Sequence, residues 1–312
     1  MPFFIYLTMK NKDNLNQIKN VLPFSVRSML RYFPEDLTEI RMRSERPIVF
    51  YSNTKRLFLG DDGGFAAELG EKTVNTSQRE VAECFNNICR HSVYSKQNEI
   101  INGFVTIKGG NRAGICGTAI TDNGRITNIR DLTSINIRVA REIFGVGEGL
   151  LKELGDVFGG VLLCGAPCSG KTTALRDLAR VLSYSKKISL IDCRGELAAV
   201  YGGVAQNDVG LCDILDGYSK RDGFDHAVRC MSPDIIICDE LGNPDDVNSV
   251  LKAAESGVSV IAAAHCRDRR ELMLRPELKR LVLSRCFGKI VFLGTGERIG
   301  QIEGSVTADE LV

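Results

Sequence analysis

No stretch of the chain approaches the roughly 18 consecutive apolar residues that a membrane-spanning helix needs. Work at a membrane would therefore go through partners, or through a peripheral subunit. The opening residues, MPFFIYLTMK, hold a short apolar run from Phe3 to Leu7 with no basic residue before it, too little for a signal peptide. Eleven cysteines lie at positions 84, 89, 116, 164, 168, 193, 212, 230, 238, 266 and 286, without a CxxC pair or paired histidine spacing. That pattern disfavours a zinc site and points to reduced thiols packed as small hydrophobes, an expectation strengthened by the odd count. An excess of either charge is lacking as well: 40 Lys and Arg face 39 Asp and Glu, a net charge of +1. This argues against a dedicated nucleic-acid binder and leaves room for local patches. There is no internal repeat and no low-complexity tract.

What is present is the material of an ordinary soluble protein, 312 residues of which 44% are hydrophobic and 25% charged. That length makes two domains the natural expectation. The rest is organised around Val161 to Thr173, VLLCGAPCSGKTT. An apolar strand, a glycine-bounded loop and a helix opening at Lys171 form the phosphate-binding P-loop pattern. A triphosphate brings several negative charges that bare backbone must approach closely. Gly165 and Gly170 permit that approach, and Ala166, Pro167, Cys168 and Ser169 complete the cradle ahead of a helix N-terminus. Lys171 is placed to reach the β- and γ-phosphates, Thr172 to give its hydroxyl to Mg²⁺, and Thr173 continues the helix. The cofactors expected are thus ATP and Mg²⁺.

Ahead of this core, residues 14 to 32 show helical spacing on both sides of Pro23, and residues 37 to 59 read as extended segments with a turn at Asn53 and Thr54. A helix is predicted from Ser77 to Arg90, with Ser77 and Glu80 as a capping box, and a shorter one around Ser95 to Ile101. From Gly103 to Arg141 alternating apolar residues and glycine turns predict a meander. It carries arginines at 112, 125, 130, 138 and 141 against only Asp122 and Asp131. Such a run is either a solvated strand face or a set of anion-seeking forks. The glycine-rich stretch Gly145 to Gly149 is read as the linker. The domains expected are residues 1–145, a small mixed α+β domain with an arginine-bearing meander, and residues 150–312, a P-loop ATPase domain.

After the P-loop, helices to about Leu182, at Asp222 to Met231, Asp245 to Ser256 and Glu277 to Arg285 alternate with apolar strands. The strands are Ile188 to Asp192, Ile235 to Cys238, the VSVIAAA segment and Lys289 to Leu293, the last closing a hairpin with Arg298 to Glu303. The fold class is α/β, with a RecA/AAA-like P-loop core and a mostly parallel sheet covered on both faces. Ile235 to Glu240, IIICDE, ends in two carboxylates 68 residues after Lys171. In a nucleotide-hydrolysing core Asp239 would hold Mg²⁺ through its water shell and Glu240 would polarise the attacking water. Asp192-Cys193-Arg194-Gly195-Glu196 falls at the carboxyl end of the neighbouring strand, on the γ-phosphate side, where Glu196 could share that role or be a surface charge. His265 ends a further core strand and is either structural or a sensor of the γ-phosphate. His91 and His226 have no functional reading.

The order P-loop, acidic box, Asp-Glu strand, then histidine, here GAPCSGKT, DCRGE, IIICDE and AAAH, resembles the secretion ATPases of type II and type IV machines. TEIRMRSERPIV at 38 to 49, GGNRAGICG at 109 to 117 and NIRVARE at 136 to 142 narrow the likeness to the stage III sporulation protein AA family, over nearly the whole chain. The resemblance implies a cytoplasmic ATPase peripheral to the membrane, a homo-oligomer in a hexameric ring, on the mother-cell side of the channel that feeds the forespore. Its implied partners are the membrane-embedded components of that channel, with no direct nucleic acid. It also implies that Arg112, Arg138 and Arg141 of the small domain approach nucleotide. Two positions depart from the family: Cys193 stands where a Glu is more often found, and Cys266 where a Gly is usual.

Other classes remain on the residues alone. An ATP-binding assembly scaffold with little turnover is opposed by Glu240, for which a pure binder has no need. A RecA-like nucleic-acid motor is opposed by near-neutral charge and by the scarcity of aromatics in the basic meander. A small-molecule kinase would need a second substrate signature, which is not seen.

Overall fold

Every side chain from Val161 to Cys164 is apolar and buried, and Ile235–Cys238 repeats the pattern, so these strands need cover on both faces. The computed structural model, which describes residues 6–8, 12–53, 55–90, 92–155, 157 and 159–311, supplies it. Phe3 to Ile5, Thr54 and His91 lie outside the described residues. The chain divides into two units: residues 9–141, and residues 142–312 together with the strand Tyr6–Thr8. The division falls after Arg141 because Glu142–Phe144 is itself a strand, paired antiparallel with Tyr6–Thr8.

The carboxy-terminal unit is built on a seven-stranded sheet in the order Asp213–Asp216, Ile188–Asp192, Ile235–Glu240, Ser259–Ala264, Val161–Cys164, Lys289–Leu293, Ile302–Thr307. All neighbours are parallel except the last pair. Alternate residues of each strand feed two cores. Leu162, Ile236, Val260 and Ile290 pack against Phe224, Val250, Leu281 and Phe287 on one face. Val161, Leu163, Ile237, Ile261 and Val291 pack against Leu150, Leu175 and Leu178 on the other. The fold class read from the sequence is the one observed. The strand Asp213–Asp216 and the helix Arg269–Leu274 were not anticipated, and the last strand begins at Ile302 because a single 3₁₀ turn, Gly296–Arg298, occupies its expected start. The helix expected from Asp222 starts at Lys220 and loosens into a π turn at Ala227–Met231.

The stretch read as a linker proves to be the start of a helix, Val146–Leu154, so that expectation is corrected. Gly147 serves packing rather than flexibility. A Cβ on Gly147 would sit 2.5 Å from the backbone carbon of Asp177 in the P-loop helix, Lys171–Leu182. The gap lets the Gly147 N–H donate to the buried Asp177 carboxylate at 2.7 Å, while Arg180 pairs with the same group at 2.7 Å.

The amino-terminal unit holds a seven-stranded antiparallel sheet that includes Leu37–Arg43, Val49–Ser52, Phe104–Ile107, Asn111–Asp122 and Arg125–Arg138. Short helices Lys12–Val21 and Phe24–Met29 flank Pro23 as its fixed φ demands, and Gln78–Ile88 starts at the predicted Ser77 and Glu80 capping box. Ile40, Met42, Phe50, Val81, Val105, Ile135 and Ile137 form its core. Beyond Cys116 the two long strands run on as an exposed ribbon to the turn at Asn123 and Gly124. All eleven cysteines are free thiols, and Cys164 and Cys238 are buried.

Candidate functional site

In a parallel sheet the carboxyl ends of neighbouring strands open on one crevice. Here the P-loop strand, the strand ending in Asp239 and Glu240 and the strand ending before His265 are adjacent. Register slips between Ile237 and Glu240, which brings both carboxylates to the same rim although successive strand residues normally face opposite ways. Pro167 to Thr173, Arg194, Glu196, Asp239, Glu240 and His265 thus line one cavity of about 460 Å³, with Ile299 at its edge.

The P-loop turns on two left-handed residues, Cys168 at φ 63° and Gly170 at φ 90°. Gly170 is closely backed by Gly300, whose nitrogen would be 3.2 Å from a Cβ there, and Gly300 N–H donates to the Ser169 carbonyl at 3.1 Å. Lys171, 7% exposed, donates to the carbonyls of Gly165 at 2.8 Å and Ala166 at 2.7 Å. Burial lowers its pKa below the ordinary lysine value, and the charge of Glu240 opposes that fall.

Asp239 is buried, and burial pushes its carboxyl above the ordinary range against the pull of Lys220. Lys220 Nζ lies 2.8 Å from its Oδ1, charge to charge. Neither oxygen of Asp239 receives a directed hydrogen bond among the described residues. A buried carboxylate with lone pairs to spare, in one cavity with the Thr172 side chain, suits a hard divalent cation such as Mg²⁺, which takes few protein ligands and completes its shell with water and phosphate. Among the described residues no cluster of three or more His, Cys, Asp or Glu offers an all-protein metal cage.

Glu240 Oε2 is 2.9 Å from His265 Nε2 and 3.8 Å from Arg194. His265 Nδ1 is buried without a hydrogen-bond partner among the described residues. His265, which the sequence leaves open between structure and chemistry, thus meets the Glu240 carboxylate at the cavity.

The acidic box separates into two roles, and the placing of Asp192 on the γ-phosphate side is corrected. Its fully buried carboxylate accepts from the backbone N–H groups of Glu196 at 2.9 Å, Leu197 at 3.1 Å, Ala198 at 2.8 Å and Ala199 at 3.4 Å. Arg176 holds the same loop by the carbonyls of Glu196 at 2.6 Å and Leu197 at 2.9 Å. Asp192 is the anchor, and Glu196 is the carboxylate it presents to the cavity. Asp192→Asn removes acceptor capacity from this cluster and should cost about 2 kcal/mol, a fall of roughly 5 °C in melting temperature. Thermal unfolding followed by circular dichroism checks this, and an unchanged midpoint would refute the anchoring role. Cys193, beside this anchor, has its thiol pushed up to about 11 by burial.

Arg112, Arg138 and Arg141 belong to the amino-terminal unit. Arg112 lies directly opposite Arg138 across two strands, with its guanidinium 3.5 Å from the centre of the Phe104 ring. Arg141 donates to Asn53 at 2.9 Å and to the Asp36 carbonyl at 2.7 Å. Lys220 was missed in the sequence, where nothing local distinguishes it: its partner Asp239 is 19 residues away on another element.

A model of the family described as "Sporulation stage III, protein AA" matches residues 12–310. The chain is 34% identical over 300 residues to the stage III sporulation protein AA of Bacillus subtilis (strain 168), covering 92% of this chain and 94% of that one. Two solved structures share the fold. The Legionella pneumophila ATPase DotB has a TM-score of 0.51 at 16% identity, over 82% of this chain and 72% of its own. The pilus retraction motor PilT, solved with bound ADP, has a TM-score of 0.53 at 17% identity, over 82% and 74%. The chain thus shares its fold with this ATPase and this pilus motor. Among the described residues no helix is long and apolar enough to cross a membrane.

Proposed function

The chain belongs to the sporulation stage III protein AA family, and from that premise we propose that it is an ATP-hydrolysing oligomeric motor that powers a secretion-like channel between mother cell and forespore. The observation that carries this reading is the rim itself. Asp239, whose buried oxygens receive no directed hydrogen bond among the described residues, the Glu240 and His265 pair and the P-loop lysine all line one cavity.

In this reading the main-chain N–H groups of Gly165 to Lys171 hold the phosphates at the helix N-terminus. Lys171 Nζ would exchange its two loop carbonyls for phosphate oxygens, and Thr172 and Asp239 would hold the cation. Bound Mg²⁺ would supply charge neutralisation at the transferred phosphoryl group. Glu240 takes the proton of the attacking water, held in orientation by His265 Nε2, while Glu196 and Arg194 border the same space. Arg112, Arg138 and Arg141 are proposed to approach nucleotide from the amino-terminal unit. Two arginines facing each other across strands repel, and an anion between them would relieve that repulsion. By family likeness the assembly is a hexameric ring, cytoplasmic and peripheral, bound to membrane-embedded channel components on the mother-cell side.

Purified protein is expected to hydrolyse ATP only with Mg²⁺, and to scatter light as a six-chain particle when a non-hydrolysable ATP analogue is added. Tight ATP binding with no turnover under any assembly condition would overturn the motor and leave an ATP-regulated scaffold.

A further inference from the structure

Resting on the nucleotide reading above, we propose that Lys220 is a positioning residue for the magnesium carboxylate, fixing Asp239 from behind so that its remaining lone pairs face the phosphate cavity. The helix Lys220–His226 opens on a Ser219 cap, whose hydroxyl accepts from the Asp222 N–H at 3.1 Å, and this places Lys220 in the first turn. From there Nζ reaches Asp239 Oδ1 at 2.8 Å and Asp246 Oδ2 at 3.8 Å. All three side chains are nearly closed to solvent, Lys220 at 12%, Asp239 at 9% and Asp246 at 8% exposed. Asp246 is fixed in turn: it accepts from the N–H groups of Gly242 at 3.0 Å and Asn243 at 3.4 Å, in the turn that follows the Asp-Glu strand. One ammonium therefore ties the end of the Asp-Glu strand to the cap of the helix that follows it, Pro244–Glu255.

The charges do not close. Two carboxylates against one ammonium leave this triad with one negative charge over; the charge of Arg194 acts on Asp239 only as the smallest of its influences, so a further cation on the cavity side would lower the cost of the surplus. Lys220 does not line the cavity, whereas Asp239 does. The ammonium thus occupies the far side of the carboxylate and leaves the near side to the cation. Outer partners of this kind orient a metal ligand, and their loss typically weakens metal affinity by about 10- to 100-fold.

The test uses the full-length protein and N-methylanthraniloyl-ATP as a fluorescent probe, titrated in MgCl₂ and in EDTA. In wild type Mg²⁺ should strengthen binding; no gain from Mg²⁺ in wild type would sink the nucleotide reading itself. In Lys220→Gln the gain should shrink by about tenfold, with affinity in EDTA within about twofold of wild type. Lys220→Arg, which keeps the cation, should recover the gain to within about threefold. An undiminished gain in Lys220→Gln, or a parallel fall in EDTA and MgCl₂, overturns the proposal. A larger gain overturns it too, since that would make Lys220 a competitor of the metal. If the Gln variant fails to fold by circular dichroism, the Arg variant alone decides, and loss of the gain there overturns the proposal.

Discussion

Glu240→Gln should lower steady-state ATP hydrolysis by about a thousandfold, roughly 4 kcal/mol in the barrier, and leave ATP affinity within about threefold of wild type. The amide keeps the size of the carboxylate and can still meet His265 Nε2, which lies 2.9 Å from Oε2 in the native site. What it loses is the capacity to receive a proton from water. In the proposed site binding rests on the P-loop amides and Lys171, which this change leaves alone. The variant is therefore expected to hold ATP unhydrolysed, shown by phosphate release against nucleotide retained on a desalting column. Wild-type turnover in Glu240→Gln would remove Glu240 from the chemistry and send the search to Glu196, on the same cavity wall.

Lys171→Ala should fail one step earlier. Its Nζ is held by two loop carbonyls in a setting only 7% exposed. A charge already desolvated and aimed there interacts strongly with a phosphate oxygen. Removing it should weaken ATP binding by roughly a hundredfold, about 3 kcal/mol, and hydrolysis with it. Isothermal titration separates this outcome from that of Glu240→Gln, since one variant loses affinity and the other keeps it. Unchanged affinity in Lys171→Ala would show that the loop does not grip the phosphates as its sequence suggests.

The parts of this site that the sequence disclosed are those where chemistry demands particular residues at short range. A strand, a glycine-bounded loop and Lys171-Thr172 occur within thirteen residues, and Asp239-Glu240 end an unmistakable apolar run. The capping box at Ser77 and Glu80 was legible for the same reason. What stayed hidden depends on partners distant along the chain. Gly147 looked like a flexible joint because its neighbour, the backbone of Asp177, is 30 residues ahead. Asp192 looked like a ligand-facing carboxylate until its four N–H donors were placed around it. Lys220 carried no signal, since an isolated lysine near a helix start is ordinary on a surface. The short strand Asp213–Asp216, DILD, lacks the apolar run by which its neighbours were found.

The final antiparallel strand, Ile302–Thr307, does more than close the sheet. The turn before it rests on the phosphate loop: Gly300 bonds to Ser169, and Ile299 borders the cavity. The last hairpin thus joins the phosphate-loop backbone to the outermost strand. In the proposed motor, a partner gripping that margin would feel the loop tighten or relax as nucleotide comes and goes.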